Sequence, residues 1–495
     1  MHVRIRCHKD CVRQWQVLLA ERLQGLHGIT VSLDLGPCAA ALPAGTEALF
    51  HLEATIHGLP GLGTVARVTP SVLMPFIQEK AEPADLVIDL CGDMAADAPQ
   101  VWRLTYNDVN GEEALLSIIL SGETPLARIM EQDRVVAEGR LGTEYGGIAL
   151  ASFQDVLART TTLLVAAISG TASAHLPALP GGAVTPPKKL SAERLGVSAA
   201  RQLAGQIARH IYRLCYNTPH WQVGWRKLDG PDLFDLRSHP ETGWNMLADD
   251  GRRFYADPFP IVHDGRLTLF VEDYEHKLAK GIISAVTFDA AGPVGRPVPV
   301  LEQACHLSYP FVFEKEGQVW MIPESCANRS VDLFRATAFP GGWVKEATLL
   351  SDIVASDATL IEHGGCWWML ATVRDGGGAF SDTLHIWSAP DFRGPWTPHQ
   401  RNPVLVDIGS ARPAGRMTWR NGHLLRPVQD CRKGYGAALG IARIRQLDPL
   451  GFEQTVEAVL TAGRLWPGRR LHTLNSAGGI EFIDGSAKSP RWKRT

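Results

Sequence analysis

The chain has 495 residues, of which 45% are hydrophobic and 20% charged, with a formal net charge of −3. That length allows two or three domains of ordinary folded composition, and the charge gives no basic field for nucleic acid and no polybasic membrane patch. No apolar run reaches transmembrane length, MHVRIRCHKD lacks the apolar stretch of a signal peptide, and nine scattered cysteines suit reduced thiols, so a cytoplasmic protein is expected.

Residues 1–174 alternate β and α signals. VRIRC (3–7) and ITVSLDL (29–35) read as strands, and VRQWQVLLAERLQGL (12–26) has apolar residues at helical spacing. ADLVIDLCG (84–92) has the continuous apolar run of a buried parallel strand. A helix over 111–122, a hairpin over 123–142 turning near Gln132, and a helix over 151–170 complete an α/β domain with a late antiparallel element. Residues 175–189, HLPALPGGAVTPPKK, are a Pro/Gly-rich boundary, and a helix over 191–217 follows, with Ser191 as its N-cap. Together, 175–218 form a linker and connecting helix. HWQVGWRKL (220–228) is a strand suited to pairing with the last repeat of the β-rich half, and 486–495 read as a basic tail.

Over 219–485 one strand–turn–strand pattern recurs: ADPFPIVHDGRLTLFVED (256–273), SYPFVFEKEGQVWMIPES (308–325), SDATLIEHGGCWWMLATV (356–373), ARPAGRMTWRNGHLLRPVQD (411–430) and a degenerate NSAGGIEFIDG (475–485). Aligned on Gly265, Gly317, Gly365, Gly422 and Gly485, the spacings are 52, 48, 57 and 63 residues, which predicts a five-bladed β-propeller. In a blade, the start of the innermost strand and the end of its partner meet at one mouth of the axis. The register delivers Asp257, Tyr309 and Asp357 there, with Glu272, Asp273, Glu324 and Asp430 at the partner strands' ends.

Each residue has two readings. Asp257 is either a general base or nucleophile at the funnel mouth or a strand-end cap. Glu272, Asp273 and Glu324 lie in the funnel or on a wet rim, where Arg252, Arg253 or Lys277 would pair with them; close carboxylates would raise one another's pKa and so make a general acid. Asp357 has the same two readings. Arg412 and Arg416 either grip an anionic ligand group or neutralise the acids. Asp430 and His472 are further binding candidates. Trp320, Trp367, Trp368, Trp396 and Trp419 fit blade packing, which leaves Tyr309 as the sugar platform.

The motifs YADPFP (255–260), HLSYPFVF (306–313), MIPES (321–325), SDATLIEH (356–363), GPWTPHQRNPV (394–404), SARPAGR (410–416), RPVQDC (426–431) and LHTLN (471–475) carry a resemblance. In them the β-rich half resembles the N-terminal domain of plant glucosamine inositolphosphorylceramide transferases and bacterial relatives. More distantly it looks like five-bladed arabinanase- and β-xylosidase-type hydrolases, whose first carboxylate Asp257-Pro258 would match. The second and third blades have Tyr309-Pro310 and Asp357-Ala358 instead of further Asp-Pro pairs. On ADLVIDLCG, GEEALLSIIL (111–120) and PLARIMEQDRVVAEG (125–139), the first domain is similar to formyltransferase domains. That likeness implies an Asn-x-His motif, which LTYNDVNG (104–111), with Asn107 and Asp108, does not supply, so a degenerate, non-catalytic relative is expected.

The resemblances imply a carbohydrate-active protein of glycan or glycoconjugate biosynthesis. Whether it is an enzyme, a glycosyltransferase or glycoside hydrolase, is left open. Asp257, Glu272, Glu324 and Asp357 would be catalytic; Asp273, Tyr309, Arg412, Arg416, Asp430 and His472 would bind a saccharide or an anionic glycoconjugate. The alternative is a non-catalytic glycan-binding module serving a glycosyltransferase, and a further reading is a sugar N-formyltransferase. No cofactor or metal is called for, and neither nucleic acid nor an integral membrane segment is expected.

Overall fold

In a computed structural model the chain is described over residues 1–37, 42–77, 83–92, 100–181 and 184–491. The end of the basic tail, 492–495, and part of the Pro/Gly stretch, 182–183, lie outside the described residues. The first domain is built on one sheet in the order 30–36, 2–8, 86–89, 100–106, 126–131, 134–140. Its first four strands run parallel and the last two turn antiparallel through the hairpin at Gln132-Asp133. Helices Gln14–Gln24, Thr46–His57, Gly111–Leu120 and Ala149–Ile168 pack on it. The last of these is apolar or small almost all round, from Phe153 through Val156, Leu157 and Thr160 to Leu164. Such a helix must be covered on every side. It has the first domain's sheet on one face and the β-rich half on the other, where Arg159 enters a loop of the third blade.

The β-rich half is five small antiparallel sheets around an axis. Blades one to four start with the hairpins Arg253–His263/Arg266–Glu275, Ser308–Lys315/Gln318–Glu324, Ala355–His363/Cys366–Val373 and Thr418–Arg420/His423–Asp430. The fifth is composite. Its inner strands, Leu471–Ala477 and Ile480–Ser486, come from the end of the chain, and its outer strands, Trp221–Lys227 and Asn245–Met246, from before the first blade. This closure leaves no open edge between first and last blades. Ser489–Pro490 pairs with Tyr216–Asn217, so the start of the tail is strand.

Three details differ from the sequence reading. The fifth hairpin turns at Gly478-Gly479, between paired Ala477 and Ile480, while Gly485 lies within a strand opposite Leu471. Aligning on Gly485 therefore shifted the fifth copy by six residues. Trp320 and Trp368 are packed between blades, but Trp419, beside the hairpin turn of the fourth blade's first strand, is 47% exposed. Tyr309, expected as an exposed platform, is fully buried.

Candidate functional site at the propeller mouth

Inner strands of the first three blades share one irregularity. Pairing slips between Ala256 and Phe259, between Ser308 and Phe311, and between Ser356 and Thr359. At each slip one residue is left-handed: Asp257 at φ 49°, Tyr309 at φ 42° and Asp357 at φ 57°. A left-handed tyrosine is costly unless its surroundings hold it there. Such a bulge turns a main-chain amide out of its own ladder, toward the neighbouring blade.

A carboxylate meets each of these amides. Asp484 of the fifth blade accepts from Asp257 N at 2.9 Å, Asp257 from Tyr309 N at 3.0 Å, and Glu324 from Asp357 N at 3.1 Å. The repeated acids thus stitch blade to blade around the axis. Tyr309 completes the stitching: its hydroxyl pairs with Thr359 Oγ1 at 2.9 Å and accepts from Gly415 N at 2.8 Å.

The acids are also met by cations. Arg412 Nε donates to Asp357 at 2.6 Å, and its Nη2 lies 3.5 Å from Glu324. Gln429 adds a bond to Asp357 at 3.1 Å. His472 Nδ1 binds Asp484 at 2.8 Å, and its Nε2 lies 3.3 Å from Asp257. Burial alone would lower the His472 pKa, but Asp484 and Asp257 outweigh burial and raise it to about 9. It therefore stands protonated between two acids. These three side chains lie within 4.8 Å of one another, a spacing a cation could use. Yet Asp484 already accepts from Asp257 N, Thr473 N and His472, and an imidazolium has no lone pair to give a metal.

Burial dominates the titration of Asp257 and Asp357. It raises Asp257 against the pull of His472, and it raises Asp357 to about 7 against the pull of Arg412. Glu272 is different. It is 7% exposed and, among the described residues, meets no arginine and no main-chain amide; its neighbour is His306, 3.3 Å away. Burial, then the charges of Asp257 and Glu324, hold its carboxyl well above the usual range. A carboxyl whose pKa is raised keeps its proton to higher pH, and in that form it can donate a hydrogen bond or a proton.

Alternation along Arg266–Glu275 places Tyr274 on the same face as Glu272, stacked at 4.7 Å on its cross-strand partner Phe254. His306 lies 5.9 Å from Tyr274. Across the mouth, the half-buried Tyr435 lies over Arg412 at 4.9 Å and against His472 at 5.3 Å. Tyr274, His306, Tyr435 and Asp484 were not singled out from the sequence. Alternation from Glu272 could have found Tyr274, and a turn at Gly479 could have found Asp484.

Three expected binding residues stand apart from this cluster. Asp273 faces the opposite side of its strand, held by Arg253 at 3.0 Å and Ser284 at 2.8 Å. Asp430 is paired with Arg432 at 2.7 Å. Arg416 reaches along the inner strands to Val312 O at 2.7 Å and meets no carboxylate among the described residues. The first domain, in contrast, reaches into the mouth. Glu144 accepts from Phe380 N at 3.0 Å and from Ser381 Oγ at 2.8 Å, and Ser381 Oγ in turn accepts from Arg412 at 3.3 Å. Beside it, the buried Arg159–Asp382 pair closes at 2.6 Å.

The family model described as glucosamine inositolphosphorylceramide transferase 1, N-terminal, matches residues 246–480. Glucosamine inositolphosphorylceramide transferase 1 of Arabidopsis thaliana is 32% identical over 246 residues, covering 47% of this chain and 32% of the relative. The protein of that name from Oryza sativa subsp. japonica is also 32% identical, with 33% of its length covered. The chain therefore spans about a third of the length of the curated relatives it matches. Among solved structures, Zg3597, a family 117 glycoside hydrolase of Zobellia galactanivorans, overlaps with a TM-score of 0.35 at 12% identity, over 55% of this chain and 92% of that one. A family 43 β-xylosidase/α-arabinofuranosidase from a compost microbial metagenome gives 0.35 at 13% identity, over 48% and 92%. By sequence, the propeller resembles the N-terminal domain of the glucosamine inositolphosphorylceramide transferases.

Proposed function

We propose that the propeller mouth binds a saccharide or glycoconjugate in glycan biosynthesis, as a recognition site that serves a partner glycosyltransferase. One observation carries this reading: Asp257, Glu324 and Asp357 are each committed to a neighbouring blade's amide, a cation or both, which leaves Glu272 alone without either. Committed carboxylates still have lone pairs for sugar hydroxyls, and the half-buried faces of Tyr274 and Tyr435 suit the apolar face of a pyranose. The relatives' name joins glucosamine to inositolphosphorylceramide, so an amino sugar on an anionic headgroup is the first ligand class to test. Calorimetric titration with glucosaminyl-inositol phosphate should show binding, weakened about tenfold by Tyr274→Ala. No binding by the unaltered chain to this or to related amino-sugar glycans would sink the proposal.

A second reading, cleavage or transfer of a glycosidic bond, draws on the raised pKa of Glu272. Glu272 would protonate the leaving oxygen and Asp257 would activate the attacking group. Glu272→Gln separates the two: turnover lost with binding kept supports the enzyme, and binding with no turnover in either form supports the recognition site. The finer likeness of the first domain to formyltransferases is a separate proposal. Asn107 is tied to Leu126 N and Thr185 O, both at 2.9 Å, as a structural amide would be. Formyl transfer from formyl-tetrahydrofolate that disappears in Asn107→Ala would revive it.

A further inference from the structure

The connecting helix, Ala192–Cys215, is mounted inside out. It docks on the first domain through polar side chains. Arg194 donates to Ser117 Oγ and Lys188 O, both at 3.1 Å, and to Ser121 Oγ, also at 3.1 Å. Gln202 reaches Gly147 O, and Gln206 lies 2.6 Å from His57. A cleft of 410 Å³ runs beneath this seam, lined by Ile119, Gly147, Ser198, Arg201, Gln202 and Arg209 among others. Leu195 is the helix's one buried residue.

The opposite face is apolar and open to water. Leu203 is 46% exposed, Ile207 63%, Ile211 55% and Leu214 65%. Their spacing of four, four and three residues is one stripe of an α-helix, with Gly196, Ala200, Ala204 and Ala208 beside it. At 1.5 Å per residue the helix is about 36 Å long. Surface leucines scattered singly need no explanation, but a continuous stripe on an ordered helix does.

Charge says what covers it. Arg201, Arg209 and Arg213 are exposed and form no ion pair among the described residues, and Glu193 is the helix's one acid. Helical spacing puts Arg201 and Arg213 at the two borders of the apolar face, while Arg209 lies opposite it, over the cleft. Two copies meeting along this stripe would bring like-charged flanks together. An anionic surface would attract both flanks at once. No described helix is long and apolar enough to cross a membrane. A helix with an apolar stripe and arginine flanks instead lies in the plane of the headgroups, with long cationic side chains reaching the phosphates.

We propose that helix Ala192–Cys215 seats the protein on an anionic lipid surface, with the Leu203–Ile207–Ile211–Leu214 stripe in the bilayer interface and the first domain riding on its polar face. The whole chain should float with vesicles of phosphatidylcholine and phosphatidylserine, and added salt should weaken the attachment. Ile207→Glu combined with Ile211→Glu should abolish flotation without moving the unfolding midpoint, because both side chains stand in water. Replacing Arg201 and Arg213 by Gln should cut partitioning onto these vesicles about twenty-five-fold, at about fivefold per arginine. The proposal is overturned if the unaltered chain stays with the unbound fraction at low salt. Equal binding to pure phosphatidylcholine overturns it as well. So does sedimentation showing a dimer that the double glutamate variant disperses, since a second copy then covers the stripe.

Discussion

In the propeller mouth, charged groups are taken out of water and answered by other groups of the same chain. Along the connecting helix, apolar groups are left in water and answered by none of the described residues. Both depart from the usual sorting of side chains, and the difference lies in where the compensation sits. Asp257, Asp357, Arg412, His472 and Asp484 form a closed network that needs nothing from outside to hold its shape. The stripe from Leu203 to Leu214 is open, and nothing among the described residues covers it. Substitutions should therefore cost stability in the network and cost binding, but not stability, along the helix.

The largest loss is expected where the closed network crosses between domains. Arg159 and Asp382 are both fully buried, and Arg159 also donates to Ala379 O at 2.7 Å. Asp382→Ala leaves a buried guanidinium unpaired and should cost about 3–5 kcal/mol. Changing Arg159 to Met together with Asp382 to Leu should recover most of that, because no stranded charge remains. Denaturant midpoints of the two variants decide it. A single-variant cost no larger than a surface change would show that this pair does not join the domains.

Next in size is the pH dependence of the mouth. The folded-state pKa of His472, about 9, lies above its ordinary 6.5, so folding takes up a proton. Its contribution is complete below about 6.5 and is lost as pH rises through about 9. Asp357, raised from 3.8 to about 7 chiefly by burial, acts in the same direction over a lower window. Stability should fall between neutrality and pH 9 by on the order of 3 kcal/mol. In His472→Gln that upper part of the slope should vanish while the part below pH 7 persists. An unchanged slope would mean that His472 is not the titrating group.

Glu144→Ala should cost less, about 1–2 kcal/mol, because no charge is stranded: the half-buried Phe380 N and the fully buried Ser381 Oγ, both neutral donors, lose their acceptor. If Glu144 positions Arg412 through Ser381, saccharide affinity falls too, and Glu144→Gln, which keeps an acceptor, restores most of it. Affinity unchanged in Glu144→Ala would confine the residue to holding the domains together.

How far this contrast was legible in the sequence depends on the distance over which the cause acts. Blade hairpins follow from local alternation and turn glycines, so four of the five copies and the register of Asp257, Glu272, Glu324 and Asp357 could be read directly. The fifth went astray on one glycine. Gly485 follows an aspartate as Gly265 does, and only pairing with Leu471 shows that it is strand. The roles of the acids were not legible, because each answers an amide on another blade, 33 residues away for Glu324 and 227 for Asp484. Tyr309 looked like a platform because its position matched Asp257, but matching position at a bulge says nothing of which way a ring packs. The net charge of −3 concealed the arginines at 201, 209 and 213, since a sum over 495 residues averages out one helix.

The smallest expected effect tests the open side of the comparison. Ile207→Ser removes most of a sec-butyl side chain from a site already 63% exposed, so folding loses almost no buried area. The unfolding midpoint should move by no more than about 0.5 kcal/mol, in either direction. In Leu439, 1% exposed within the fourth blade, truncation to Ala should instead cost about 2–5 kcal/mol. If Ile207→Ser matched the Leu439 loss, the stripe would already be packed in the free protein, and the connecting helix would be as closed as the mouth. If it is silent in stability but weakens attachment to anionic vesicles, the two regions differ as their exposure says. The mouth is finished by the chain's own residues, and the helix is finished by whatever surface it meets.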